Sequence, residues 1–224
     1  NLYGEKGELL EGTRKHVIKE VPFTPPWGAE EKTSKVCIFG AAYDVRRSIF
    51  KDKEKLGYKD ILQASKEEVK HLREEEKCDI VLALSHQFSG DDCKMSAELG
   101  EGIDLILGGH DHSTEMNTVC GIAPFVKADS DLKTQWIMRL QLGDDGRVAS
   151  VDGEVISLTD ADDFDEFVHS QVVRWEEKAA VELDKRIGCS AVDADAVAGN
   201  IRRAETNLGS FFADAMREKY GTQA

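Results

Sequence analysis

The sequence lacks long apolar runs, and it has fewer basic than acidic residues. Of its 224 residues 41% are hydrophobic and 32% are charged, yet no apolar run approaches the roughly 20 residues that span a bilayer. We therefore expect no membrane segment. The formal net charge of −14 argues against a protein that binds the nucleic-acid backbone, because such binding depends on Lys and Arg.

Cysteine is also scarce, and no Cys-x-x-Cys motif is present. The five cysteines are scattered along the chain and odd in number: Cys37, Cys78, Cys93, Cys120 and Cys189. This pattern predicts reduced thiols, most of them packed in the core, and favours a reducing compartment. The chain starts at Asn1 without Met or a signal sequence. We expect this start to be internal to a longer protein, so the compartment stays open.

The apolar residues predict alternating strands and helices. Strand 36–40, helix 58–77, strand 79–84, helix 94–99 and strand 103–107 follow in β-α-β-α-β order. This order predicts a layered α/β sheet whose chemistry lies at the carboxyl ends of the strands. Strands 122–126, 134–142 and 148–156 are predicted to pair in antiparallel fashion, with a hairpin turn at 143–146. A long helix at 164–185 and a last helix at 205–220 complete the pattern.

Three histidines follow these predicted strands. His86 follows one strand, and His110 and His112 lie in a Gly-Gly-His-Asp-His run after the next. A single histidine in such a place is more often a hydrogen-bonded structural residue, but three at strand ends favour a metal site. We expect Gly108 and Gly109 to adopt positive φ and to let the backbone pass close to the metal.

The spacing of the last two histidines suits more than one ion. In a turn, residues one apart need not point the same way, so His110 and His112 can serve two ions. Two ions about 3.5–4 Å apart form the clamp used for displacement at phosphorus. Asp111 is expected to support the ligands or to face solvent. Asp91 and Asp92 are expected to form a turn and a helix cap.

Three segments resemble a known family. Leu84-Ser85-His86 and residues 102–112 resemble the last two metal-binding motifs of the calcineurin-like metallophosphoesterases. Residues 202–215 resemble the opening of the C-terminal domain of the two-domain 5′-nucleotidases. The resemblance implies the later half of a layered α/β metallophosphoesterase sandwich at 1–160, an interdomain linker helix at 161–187, and the beginning of an α/β substrate-binding domain at 188–224.

The resemblance also implies roles for particular residues. His86 and His110 would bind one ion, His112 the other, and Arg202 would contact substrate. For Arg202 the alternative is a solvated charge that leads a helix. Phe211 and Phe212 are expected in the core of the second domain.

Several motifs of the family are absent from the sequence. These are the upstream Asp-x-His, Gly-Asp and Gly-Asn-His-Glu or Gly-Asn-His-Asp motifs. The resemblance therefore implies an internal fragment that begins after them, with the catalytic residues upstream of Asn1. We expect this chain to be inactive alone.

The expected function of the full-length protein is hydrolysis of nucleotide phosphomonoesters. The resemblance implies two divalent ions (Zn, Mn, Co, Fe or Mg) and a nucleotide or another phosphate ester as partner. Two alternatives stay open: a non-catalytic interaction or structural member of the same fold, and a variant acting on cyclic nucleotides, nucleoside di- and triphosphates or sulfur esters. Many members of the family are periplasmic or extracellular. The sequence sets neither the oligomeric state nor the metal.

Overall fold

The computed structural model describes residues 1–25, 30–47, 53–159, 163–186 and 188–221. In these residues the strands are β1 (Leu2–Gly4), β2 (His16–Phe23), β3 (Lys32–Ala42), β4 (Leu56–Tyr58), β5 (Ile80–His86), β6 (Leu105–Gly109), β7 (Glu115–Asn117), β8 (Phe125–Lys127), β9 (Thr134–Leu142) and β10 (Val148–Ser157). The helices are α1 (Ile61–Glu74), α2 (Ser89–Leu99), α3 (Glu166–Leu183), α4 (Ala198–Ile201) and α5 (Asn207–Tyr220). The chain divides into two compact units, Asn1–Asp162 and Asp163–Ala224.

A six-stranded mixed sheet forms the centre of the first unit. Its strand order is β2-β3-β5-β6-β8-β7. The four inner strands β3, β5, β6 and β8 run parallel, and β2 and β7 close the two edges in antiparallel fashion. Two further antiparallel pairs, β1 with β4 and β9 with β10, form small sheets of their own. The carboxyl ends of the parallel strands therefore meet at one edge.

Helix α1 packs against this sheet through an apolar stripe, whereas α2 buries Met95 together with two polar residues. In α1, Val69 and Leu72 are buried, and Asp60 caps the first turn by accepting a hydrogen bond from the backbone N–H of Gln63 at 3.0 Å. In β5, Val81 and Ala83 are buried, while Leu84 between Ala83 and Ser85 is 48% exposed. Because side chains alternate along a strand, Leu84 and His86 lie on the same, more open side of β5.

The predicted α/β class and the main elements are confirmed. The strand predicted at 36–40 lies within β3, the helix predicted at 58–77 contains α1, and the predicted hairpin joins β9 to β10. Helix α2 differs, because it begins at Ser89. The segment 89–92, predicted as a turn, is therefore the first turn of α2. The predicted three-part domain division stays a prediction, and residues 160, 161 and 187 at its boundaries lie outside the described residues.

The expectation of reduced cysteines is wrong for four of the five. Cys37 is paired with Cys78, and Cys93 with Cys120, at Cα–Cα distances of 5.9 and 5.4 Å. Both distances lie in the usual disulfide range. The pairing could not be predicted from the sequence, because each pair joins residues that only the fold brings together. Cys189 is a free, exposed thiol.

The second unit contains α3, α4 and α5. Thr206 caps α5 by accepting a hydrogen bond from Gly209 N–H at 3.1 Å, and the Asn207 amide donates to Asp193 O at 2.7 Å. Phe211 and Phe212 are 64% and 55% exposed in the described part of the chain, and their expected place in the core of a second domain stays a prediction. The described part of this unit contains three helices and no sheet to cover them. Among the described helices, none is long and apolar enough to cross a membrane.

Candidate metal centre

The first two predicted histidines lie side by side at the carboxyl edge of the sheet. Strand β5 ends at His86 and the parallel strand β6 ends at Gly109, and these two residues are partners in the register. His110 is the residue directly after Gly109. Its Nδ1 lies 3.4 Å from Nε2 of His86, and the two ring centroids are 5.1 Å apart. Parallel pairing of adjacent strands therefore brings together side chains that are far apart in sequence.

Two aromatic rings enclose this histidine pair. Tyr43, just after β3, has its ring centroid 4.9 Å from that of His110 and 5.8 Å from that of His86. Phe88 meets His110 edge-on at 4.4 Å. Aromatic contacts of this kind restrict the orientation of the imidazoles. The two rings are thus held with nitrogens facing one another, an arrangement that suits a shared metal ion.

The glycines before His110 act differently from the prediction. Gly108 and Gly109 lie in β6, and positive φ occurs instead at His110 (89°) and His112 (54°). A positive φ is uncommon for residues other than glycine and costs about 1–3 kcal/mol, a form of strain that clusters at functional sites. The expected close approach of the glycine backbone to a metal stays a prediction, but the backbone at Gly109 does pass close to His86. A Cβ on Gly109 would lie 3.1 Å from Nδ1 of His86.

A buried lysine contacts the turn that carries His110 and His112. The Lys127 side chain is fully buried, and its Nζ lies 2.9 Å from Asp92 Oδ2 and forms an ion pair with Asp111. Nζ also donates to the carbonyl oxygens of Gln87 at 2.6 Å and Gly109 at 2.9 Å. One ammonium group thus links the residue after His86 to the residue before His110.

The two carboxylates around Lys127 are further fixed by neutral donors. Asp92 Oδ1 accepts from the Ser85 hydroxyl at 2.6 Å and from the Gln87 amide at 2.8 Å. Asp92 is therefore a buried ion-pair partner within α2 and no helix cap, which corrects the prediction. Burial opposes ionisation of Asp111, but hydrogen bonds from Lys127 and Ser89 outweigh it and lower the pKa of Asp111 below its ordinary value.

The surroundings of His86 favour its neutral form. Partial burial lowers its pKa, and the neighbouring His110, Lys127 and His112 lower it further. A neutral imidazole keeps a lone pair for a metal, and metals compete with protons for that lone pair. His86 is therefore ready to act as a ligand at neutral pH.

The remaining predicted residues lie apart from this pair. His112 is exposed, and within the described residues the three histidines do not form a group whose ligand atoms all lie within 4.8 Å of one another. Arg202 follows α4 in the second unit and is exposed, without a hydrogen-bond or ion-pair partner among the described residues. Each unit is described by itself, so the role of Arg202 stays a prediction.

A groove of about 410 Å³ runs beside His86 and carries positive charge. Arg14 and Lys15 line it together with Leu84 and His86. A groove of about 490 Å³ lies at the amino ends of the strands, where Asp79 and Asp104 line it, and it contains none of the three histidines. The second groove also has two arginines, Arg73 and Arg147, beside its carboxylates, whereas the groove beside His86 has basic side chains and no carboxylate. Of the two, the groove beside His86 is therefore better suited to a phosphate group.

Three residues of this site were not predicted from the sequence. Tyr43, Phe88 and Lys127 all come at or just after the carboxyl ends of parallel strands. That position was the available signal, because chemistry in an α/β sheet gathers at this edge. Lys127 carried a second signal, since it is a charged residue that ends the apolar run Phe125-Val126.

Several known proteins are similar to this chain in sequence or in structure. No family model matches it. It is 26% identical over 191 residues to the trifunctional nucleotide phosphoesterase protein YfkN of Bacillus subtilis, a match that covers 83% of this chain. It is 29% identical over 189 residues to an apyrase of Tabanus yao, which covers 75% of this chain. The structure of a 5′-nucleotidase precursor from Thermus thermophilus matches 98% of the chain with a TM-score of 0.73 and 19% identity.

The chain shares the fold of that 5′-nucleotidase and is similar in sequence to a nucleotide phosphoesterase and an apyrase. The same fold recurs in the sulfate thiohydrolase SoxB of Thermus thermophilus, with a TM-score of 0.60 and 24% identity over 79% of the chain. The chain spans 13% of the length of the Bacillus protein, 34% of the Tabanus apyrase and 45% of the Thermus 5′-nucleotidase.

Proposed function

We propose that this chain supplies the histidine ligands of a two-metal site that hydrolyses nucleotide phosphomonoesters in the full-length protein. The observation that carries the proposal is the pair His86 and His110, with ring nitrogens 3.4 Å apart at the carboxyl edge of a 5′-nucleotidase-type sheet. The nucleotide-related names of the relatives support a nucleotide phosphoester as substrate. The monoester preference and the number of ions are part of the proposal.

The donor set suits borderline divalent ions but is incomplete on its own. His86 and His110 are imidazole ligands, and the nearby carboxylate of Asp111 is already bound by Lys127 and Ser89. Hard divalent ions normally take carboxylates as well, which supply compensating negative charge. We therefore propose that further ligands come from outside this chain, and that the chain alone binds metal weakly at His86 and His110 and is inactive.

The chain's own residues would hold and shield the ions. His86 and His110 would share one ion, and His112, two residues further along the turn, would reach a second. Bound divalent ions polarise a phosphoryl oxygen and lower the pKa of a bound water. Tyr43 and Phe88 hold His110 in place, and Arg14 and Lys15 attract the anionic substrate along their groove.

The test uses the full-length protein after removal of metal with a chelator. Phosphate release from AMP should return on addition of Mn²⁺, Zn²⁺ or Co²⁺, and ADP and ATP are assayed in parallel because some relatives carry the name apyrase. His110→Ala should lower the metal-supported rate by more than about 100-fold, since even residues that only orient a ligand contribute 10–100-fold. His169→Ala, at an exposed histidine on α3, is the control and should retain the rate. Equal rates for both variants would contradict the proposal.

Arg202 is proposed to contact the substrate, and its neighbour provides a matched control. Arg202→Ala in the full-length protein should raise KM for AMP, whereas Arg203→Ala, also exposed and one residue away, should not. If the two variants behave alike, Arg202 is a solvated charge.

A non-catalytic member of the fold is the alternative that remains if no substrate is hydrolysed with any metal. The residues upstream of Asn1 in the full-length sequence should also contain the Asp-x-His and Gly-Asn-His motifs.

A further inference from the structure

A second group of metal-binding side chains lies between the edge strand β2 and helix α1. His16 begins β2, His71 lies in the last turn of α1, and Glu76 follows that helix. One ligand atom from each of the three lies within 4.8 Å of the other two. The group shares no residue with the strand-end histidines. Two separate parts of the chain, the start of β2 and the end of α1, thus converge on a point where an ion can bind.

The two imidazoles are already oriented by carboxylates. His16 Nδ1 lies 2.5 Å from Glu68 Oε1, so this nitrogen is held by Glu68 and Nε2 is left for another partner. His71 Nδ1 lies 3.1 Å from Glu75 Oε2, and its Nε2 lies 3.8 Å from Glu76 Oε1. A carboxylate on one ring nitrogen with the other nitrogen free is the usual arrangement of a metal-binding histidine.

The local charge also favours a cation. Three carboxylates, Glu68, Glu75 and Glu76, surround the two imidazoles, and the Lys35 ammonium pairs with one of them, Glu76. Lys35 Nζ lies 3.1 Å from Glu76 Oε2, which leaves Oε1 on the side of His71. The side chains of His16 and His71 are 21% and 37% exposed, so an ion can enter without unfolding.

We propose that His16, His71 and Glu76 form a binding site for a borderline divalent cation, with Zn²⁺ as the best fit. Two imidazoles and one carboxylate are a common zinc ligand set, with a fourth position open to water. Ligand bonds of about 2.0–2.2 Å require the three side chains to close in slightly around the ion. A bound ion links β2 to α1, and it stabilises the docking of the edge strand.

The first experiment is a Co²⁺ titration of the chain carrying His86→Ala and His110→Ala. This background removes the strand-end ligands, so the outcome is independent of the proposed phosphoesterase function. Visible Co²⁺ bands of four-coordinate geometry should appear with one equivalent, and Zn²⁺ should displace them. Adding His71→Ala should remove the bands, while adding His169→Ala should leave them unchanged. No bands in the background, or equal bands with and without His71, would overturn the proposal.

Two further variants separate ligand binding from a purely structural role. Glu68→Gln should weaken Zn²⁺ binding by about 10–100-fold, because Glu68 only orients His16. Lys35→Gln should tighten binding by about fivefold, because it removes a like charge beside Glu76. Circular dichroism of each variant checks folding. Zn²⁺ should raise the melting temperature of the background and fail to raise it in His71→Ala. Unchanged affinity in the Lys35 and Glu68 variants would contradict the assigned ligands.

Discussion

At the scale of single residues, Lys127 holds the carboxyl edge of the sheet together. Its ammonium group contacts Asp92, Asp111 and the carbonyl oxygens of the residues beside His86 and His110. A buried charge is tolerated only when it is paired and hydrogen-bonded. The geometry of the histidine pair therefore depends on a residue that need not touch substrate.

Removing this cation should be costly. We expect Lys127→Met to lower the free energy of unfolding by about 3–5 kcal/mol, because it leaves the fully buried Asp92 carboxylate without its cation and removes the partner of Asp111. The matched control is Lys133→Met, which breaks an exposed pair with Asp131 at 3.6 Å and should cost less than about 1 kcal/mol. Urea unfolding of the chain measures both. Similar losses for the two variants would show that the buried network has no special role.

A pair of strand glycines tests how closely the backbone must approach His86. Gly109→Ala places a Cβ 3.1 Å from His86 Nδ1, whereas Gly40→Ala on β3 meets nothing within 4 Å. In the full-length protein, Gly109→Ala should lower metal-supported activity by about 10-fold or more by displacing a ligand. Gly40→Ala should leave the activity unchanged. The same rate in both variants would contradict a role for His86 as a ligand.

The positions of the histidines at the strand ends could be predicted from the sequence. The residues that hold them in place could not. His86 and His110 follow apolar strands, so their meeting at one edge follows from parallel pairing. Lys127 pairs with Asp92 of α2 and Asp111 of the turn, and nothing in the spacing of these residues links them. The positive φ at His110 and His112 was also missed, because glycine was the expected site of such a conformation.

At the scale of elements, periodicity predicts the interior strands and helix α1 well. Buried strands such as β5 and β6 have continuous apolar runs, and α1 has an apolar stripe among charges. The start of α2 was missed because Ser89, Gly90, Asp91 and Asp92 are all common in turns. Asp92 belongs to the helix because it is held by Ser85, Gln87 and Lys127, which no local pattern reveals.

The two cysteine pairs join elements that are distant in sequence, and a thiol titration tests them. Cys37 of β3 is paired with Cys78 before β5, 41 residues away, and Cys93 of α2 with Cys120. The unfolded chain should therefore show one free thiol before reduction and five after it. Cys37→Ala should lower the unfolding free energy by about 2–5 kcal/mol, and Cys189→Ala, at the exposed free thiol, should not. Five free thiols without reductant would restore the expectation from sequence.

At the scale of the whole molecule, the first unit provides an ordered sheet edge, and the second provides exposed helices. In α3 and α5 large apolar side chains are exposed, among them Phe167, Trp175 and Phe211. Amphipathic periodicity predicted both helices correctly, but it cannot say what covers their apolar faces. The fold class and the location of the site could both be predicted from the sequence, because the order of strands and helices indicates a parallel sheet with its chemistry at one edge.

The central claim is that the strand-end histidines bind metal, and anomalous diffraction tests it most directly. Crystals of the full-length protein with Mn²⁺, measured on the low- and high-energy sides of the manganese absorption edge, locate each ion. We predict a manganese peak within about 2.0–2.4 Å of ring nitrogens of both His86 and His110, with a second peak beside His112 about 3.5–4 Å from the first. A structure with ordered manganese at other sites, and none contacting His86 or His110, would contradict the account.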